Sequence, residues 1–265
     1  MKILFFVAFS KLVLCDDVLD LIKVAGYQGE AHEVATADGY LLKVHRVRPY
    51  VKEKSMKNPV FLMHGLLGSS SNFVVTGRDI GLAYLLADNG HDVWMGNARG
   101  NRHSTLSLKY STESKEFWDF SWHEIGFFDL PAMIDYMLQI TGASETFYVG
   151  HSQGTTALMV LLSTQPEYND KIIQGHLMTP AVFMKNFPNP LTRFLTSESD
   201  LLDEYSFLSI SPILRAAKKY RKTFCSERAE TKIFCPGLVL FSFLIFGANK
   251  NEVQLETVRK LKNKS

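Results

Sequence analysis

The stretch Gly150-His151-Ser152-Gln153-Gly154 has the residue types for nucleophilic chemistry. A serine with glycine two residues to either side suits a sharp strand-to-helix turn that exposes its hydroxyl, the glycines standing where a Cβ would clash as helix packs on strand. The pentapeptide alone is weak evidence, and its surroundings strengthen it. The apolar run Phe147-Tyr148-Val149 leads in and a helix-forming stretch follows. A serine needs a histidine to take its proton and a carboxylate to orient that histidine. It also needs two aimed N–H donors for the oxyanion of a tetrahedral intermediate. The residue after the serine, Gln153, supplies one. The other is expected from the loop after an earlier strand, at His64-Gly65-Leu66-Leu67-Gly68, with Leu66 as donor. His64 precedes Ser152 in the chain, so it is expected to orient this loop and not to serve as the base.

Elements that could hold these residues follow from periodicity. Residues 31–49 alternate apolar and polar around Asp38-Gly39 and predict a β-hairpin. Residues 58–65 predict a buried strand, 77–90 a helix stopped by Asn89-Gly90, and 91–100 a strand running into a loop. Residues 121–142 predict a helix that bends or restarts at Pro131. After the serine turn and its helix, 171–182 predicts one more buried strand. Strands separated by helices imply an α/β layer fold with a mostly parallel sheet. Beyond Val182 strand alternation fades into short helical patterns of high apolar density, such as 233–247. These read as core helices or as a helical cap whose apolar face borders a lipid site.

The composition sets outer limits. With 265 residues, 46% apolar and 21% charged, the chain fits one domain or one domain with an insertion. A net charge of +2 is too small to imply a nucleic-acid or polybasic membrane partner. Residues 1–15 carry a lysine, then the apolar run Ile3–Phe9, with Val13 and Cys15 at the −3 and −1 positions of a cleavage site. A signal peptide is expected; an N-terminal core helix is the alternative, and the run is too short to span a bilayer. Its removal leaves Cys225 and Cys235, read as one disulfide closing a small loop or as two separate buried thiols. No metal or cofactor is implied.

The chain resembles the acid lipase family, the secreted and lysosomal lipases related to gastric lipase. The resemblance is carried by "ADGYLLKVHRVRP", "FLMHGLLGSSSNFV", "GHDVWMGNARGNRHS", "EFWDFSWHEIGFFDLPAMIDY" and "FYVGHSQGTTAL", in the family's order and spacing, and it runs from about residue 17 to the end. It implies an α/β-hydrolase core over 16–182 and a partial helical cap over 183–265, with Cys225 and Cys235 as the cap's disulfide. It further implies Ser152 as nucleophile, Leu66 and Gln153 as oxyanion donors, and lipid esters such as acylglycerols or sterol esters as substrates. Lipid catabolism in a secreted or lysosomal setting would follow.

The triad's other members are the difficulty. Histidines stand at 32, 45, 64, 91, 103, 123, 151 and 176, and His176 alone follows Ser152. It falls inside a predicted strand, where the only acids between it and the serine are Glu167 and Asp170. Glu198, Asp200, Asp203 and Glu204 fall in the segment that the family uses as cap. Completing the sheet with the usual acid and histidine takes about 60 further residues. The expectation is one catalytic residue of three and an inactive 265-residue polypeptide. It could be part of a longer lipase, a lipid-binding protein on a lipase scaffold, or a poorly folding remnant.

Overall fold

The computed structural model describes residues 18–49 and 57–182, all within the first of two units, Met1–Val182. The chain enters through helix α1 (Val18–Val24) and forms β1 (Gln28–Ala35) and β2 (Tyr40–Arg48), an antiparallel hairpin. Its turn is the Asp38-Gly39 turn expected from the sequence: Gly39 takes φ 101°, and the Thr36 N–H donates to Tyr40 O at 2.8 Å. Next come β3 (Lys57–Met63), α2 (Leu82–Asp88), β4 (His91–Met95) and the two-residue β5 (Leu106–Ser107). A helical passage then runs from α3 (Trp122–Glu124) through a π-helical turn at Ile125–Asp129 into α4 (Leu130–Thr141). β6 (Thr146–His151), α5 (Gln153–Thr164) and β7 (Ile172–Met178) complete the described residues.

These strands form one sheet in the order β1-β2-β4-β3-β6-β7, with β5 beside β2. β2 is antiparallel to β1 and β4, whereas β4, β3, β6 and β7 run parallel. The mostly parallel α/β layer read from the sequence is what forms. Period-two alternation in β3 divides the core. Phe61 and Met63 join Met133, Met137, Leu158 and Leu161 of α4 and α5. Val60 and Leu62 join Ile22, Ala83, Tyr84 and Ala87 of α1 and α2 on the opposite face. With helices on both faces, β3 from Pro59 to Met63 and β4 from Val93 to Met95 are apolar at every position. Each large side chain so buried stabilises the fold by about 1.5–3 kcal/mol.

Three elements differ from the sequence reading. The helix expected over 77–90 is shorter, because Gly77 takes φ 85° and residues 77–81 form turns before Gly81 caps α2. The helix expected over 121–142 to bend or restart at Pro131 does restart there, at Leu130 with the proline in the first turn of α4, but a π-turn that the sequence did not announce precedes it. Proline there has no N–H for the Phe127 carbonyl, its ordinary α-helical partner. That carbonyl instead accepts from Gln165 Nε2 at 2.8 Å. Finally, β7 is largely exposed and not buried. It pairs with β6 on one side and ends the described sheet on the other. The leader expected at 1–15, the expected pairing of Cys225 and Cys235, and the cap expected at 183–265 lie outside the described residues.

Candidate active site

β6 delivers the chain to the turn at Ser152 and α5 takes it away. The two glycines of the motif are explained by contact. A Cβ on Gly154 would sit 2.5 Å from Met63 O, and one on Gly150 would sit 2.9 Å from the Gly154 carbonyl. Helix and strands thus approach more closely than a side chain permits. Ser152 itself adopts φ 50° and ψ −115°, a conformation that a non-glycine residue holds only when its surroundings compel it. Its N–H donates to Met178 O at 3.0 Å, and its carbonyl accepts from Thr155 N at 2.8 Å and Thr155 Oγ1 at 2.6 Å. Tyr148 Oη braces the Gly154 carbonyl at 2.7 Å. The Thr155 hydroxyl also accepts from Ala181 N at 3.0 Å, while Thr156 Oγ1 donates to Ala181 O at 2.6 Å. Among the described residues nothing hydrogen-bonds to Ser152 Oγ, which is half-buried at the turn.

The 64–68 loop lies against this turn, since a Cβ on Gly65 would come within 2.9 Å of Ser152 Cβ. His64 is buried with both ring nitrogens in use. Nδ1 donates to Gly65 O at 2.8 Å, while Nε2 accepts from Ala98 N and Asn101 Nδ2, each at 3.1 Å. Burial pushes its pKa down to about 4, so the ring is neutral at pH 7 in the tautomer these partners require. Gly65 O also accepts from Gly68 N at 3.0 Å. The C=O and N–H of one trans peptide point in opposite directions. Holding the Gly65 carbonyl inside the turn therefore directs the Leu66 N–H outward. Gln153 opens α5, so its N–H has no acceptor within the helix.

Two asparagines that the sequence reading left without a role tie this loop to the 96–104 loop. Asn97 Oδ1 accepts from Ser70 N at 3.0 Å and from Asn101 Nδ2 at 2.9 Å, and Asn97 Nδ2 donates to Lys43 O at 2.8 Å. Asn101 Oδ1 accepts from His103 N at 2.8 Å and Ser104 N at 3.1 Å. Next along, Arg99 is buried between two carboxylates. It donates to Asp129 Oδ1 at 2.8 Å and pairs with Asp38 of the hairpin turn, its guanidinium 4.0 Å over the Tyr40 ring. Burial opposes the guanidinium charge, but Asp129 and Asp38 hold it protonated beyond its usual range. Burial lifts the Asp129 carboxyl to about 6 against the pull of Arg99. Asp38, although partly buried, is held below the usual carboxylate range by its bonds from Arg99 and Thr36. Hairpin, loop and π-turn are thus fastened at one point. The signal for these residues lay in "GNARGNRHS" and in the threonines of "GHSQGTTAL", stretches of sequence whose polar atoms declare no partner until the loops meet.

Ser152 and the loop carrying Leu66 are brought together with Gln153; the later acids and histidine are not. His176 pairs in register with Val149, which is about 10 Å along the strand from Ser152, and it is exposed. Glu167 and Asp170 precede β7, at the end of the sheet opposite Ser152, about 20 Å away along the strand. Glu198, Asp200, Asp203 and Glu204 lie outside the described residues. Among the described residues no group of three His, Cys, Asp or Glu is placed to hold a metal, and no helix is long and apolar enough to cross a membrane.

Residues 18–77 match a partial alpha/beta-hydrolase lipase region, and residues 58–197 match the alpha/beta hydrolase fold, more than half of the chain. The chain belongs to the α/β-hydrolase fold family. Its relatives within that family include lipases. This hydrolase-fold chain is 50% identical to Lipase 1 of Drosophila melanogaster over 88% of its length, covering 50% of that protein. It is 41% identical to Lipase 3 of the same organism over 93% of its length, covering 63% of it. To human gastric triacylglycerol lipase it is 42% identical over 64% of its length, covering 43%. The acid-lipase resemblance is borne out. The hydrolase-fold chain spans about half the length of the curated relatives it matches.

Proposed function

We propose that this chain carries the nucleophile half of a serine hydrolase of lipid carboxylic esters, acylglycerols or sterol esters. The observation that carries the reading is Ser152 itself: φ 50° between β6 and α5, hydroxyl unpartnered among the described residues, with the 64–68 loop in contact. In this reading Ser152 Oγ attacks the ester carbonyl carbon, and the N–H groups of Leu66 and Gln153 receive the oxyanion. The C–O bond to the alcohol breaks as the proton given up by Ser152 Oγ–H passes to the alcohol oxygen, leaving an acyl-serine; water then adds to the acyl carbon and the C–Oγ bond breaks, releasing the carboxylic acid and returning a proton to Ser152. Among the described residues no histidine is placed to relay the Ser152 proton. His64 has both nitrogens committed, and His176 stands about 10 Å along the strand from the serine. We therefore assign the 265 residues alone a low turnover, the oxyanion donors leaving a residual acceleration of about 10³–10⁴ over water. The core at 16–182, the cap at 183–265, a Cys225–Cys235 disulfide, and secreted or lysosomal residence after loss of residues 1–15 complete the proposal.

The commitment of both His64 nitrogens, with no base on Ser152 Oγ among the described residues, favours a second reading, a lipid-binding protein on a lipase scaffold. One experiment separates them. The purified chain and Ser152→Ala are compared for fluorophosphonate labelling, read by peptide mass, and for hydrolysis of 4-methylumbelliferyl oleate. Slow labelling confined to the Ser152 peptide, with slow hydrolysis lost in the variant, supports the hydrolase reading. Oleate ester binding that is equal in both proteins, with no labelling, supports the binding protein. Equal labelling of both proteins would remove Ser152 as nucleophile.

A further inference from the structure

The 65–68 turn, closed by the Gly68 N–H on Gly65 O at 3.0 Å, has Leu67 at its third position with φ 60°. Glycine and asparagine are at home in that left-handed conformation; leucine there costs about 1–2 kcal/mol. Packing offers no return among the described residues. Leu67 is 58% exposed and joins neither apolar cluster of the core. The inside of the turn is full, since a Cβ on Gly68 would meet Gly65 O at 2.9 Å and Asn72 Nδ2 at 3.0 Å. The side chain therefore stands outside the turn, on a loop whose Gly65 adjoins Ser152. An apolar group kept exposed in a costly conformation is an outlier that points toward function. What would meet it beside an ester-reactive serine is the apolar tail of the substrate.

We propose that Leu67 is a specificity-determining residue that contacts the acyl or alkyl chain of the ester bound at Ser152 and favours long chains over short. The inference rests on the lipid-ester reading above. Binding is measured by titration calorimetry with two ethers that cannot be hydrolysed, 1-O-dodecylglycerol below its micellar concentration and 1-O-butylglycerol. The proteins are the full chain, Leu67→Asn and Leu67→Gly; asparagine and glycine both tolerate the positive φ. The expected result is a loss of about tenfold for the dodecyl ether in both variants, as for half of a buried leucine. Butyl ether binding stays unchanged and the melting temperature is equal or higher. Dodecyl affinity within about twofold of the parent in both variants overturns the inference and leaves the lipid-ester reading standing. Unchanged affinity with a lower melting temperature also overturns it, placing the leucine in packing against the rest of the chain. If the parent chain binds neither ether, the lipid-ester reading fails and takes the inference with it.

Discussion

Ser152 at φ 50° and ψ −115° occupies backbone space that glycine enters without penalty. The conformation is enforced from three sides, by Met178 O on its N–H, by Thr155 on its carbonyl, and by glycines that let α5 seat on β3. Strain of this kind lowers the stability of the fold. Replacing Ser152 by glycine should relieve it and raise the urea midpoint by the equivalent of about 1 kcal/mol, with the nucleophile gone. Replacing it by alanine removes the hydroxyl but keeps the strain, so its midpoint should match the parent's. Equal midpoints for the glycine and alanine variants would show that the turn is not strained. Leu67, the neighbouring positive-φ residue, differs in that its backbone conformation serves display of a side chain and not of a hydroxyl.

In the helical passage before β6 a backbone group lacks its ordinary partner. Pro131 withholds a donor from the Phe127 carbonyl, a π-turn forms ahead of it, and Gln165 closes the deficit from beyond α5. Gly126 lets the π-turn press on α5, since a Cβ there would lie 2.6 Å from Ala157 O. Gln165→Ala should cost about 1–2 kcal/mol by leaving that carbonyl unpaired. Adding Pro131→Ala should recover part of the loss by restoring the backbone donor, so chemical denaturation of the two single variants and the double should be non-additive. Legibility follows the same division. The hairpin, β3, β4, β6 and the serine turn could be read because their signals are local: alternation, apolar runs, Asp38-Gly39, the glycines about Ser152. Pro131 announced a disturbance, but the side chain that meets the Phe127 carbonyl, Gln165, stands some thirty residues later. The exposure of β7 was illegible for a related reason, since Ile172–Met178 is as apolar as a buried strand and its burial depends on what lies beside it. In the site, Ser152 and its glycines carry their own signal, whereas the bonds of His64, Asn97 and Asn101 exist only once two loops meet.

Over the unit formed by the described residues, the buried ionisable groups set how the fold responds to acid. His64 has its pKa lowered by burial to about 4, so the stability it contributes is present above about 6.5 and is lost as pH falls toward 4. Asp129 has its pKa raised by burial to about 6, so its contribution is lost as pH rises through 6 and is recovered on acidification toward its ordinary value. The two oppose each other over nearly the same interval. Asp38 and Glu30, held low by Arg99 and Arg46, add stability above their unfolded pKa values of about 4 that disappears below them. Urea midpoints should change little between pH 6.5 and 4 and fall steeply below. A steady decline from pH 6.5 downward would mean that Arg99 keeps Asp129 ionised more firmly than burial lifts it.

Thr155 and Thr156 grip both backbone polar groups of Ala181, just past β7. For anyone wishing to exchange parts between hydrolases of this fold, that grip marks a seam. A graft joined at Val182 keeps the donor and acceptor that the threonines require. A graft joined three residues earlier replaces Pro180 and Ala181, and with them the outer anchor of the turn that presents the serine.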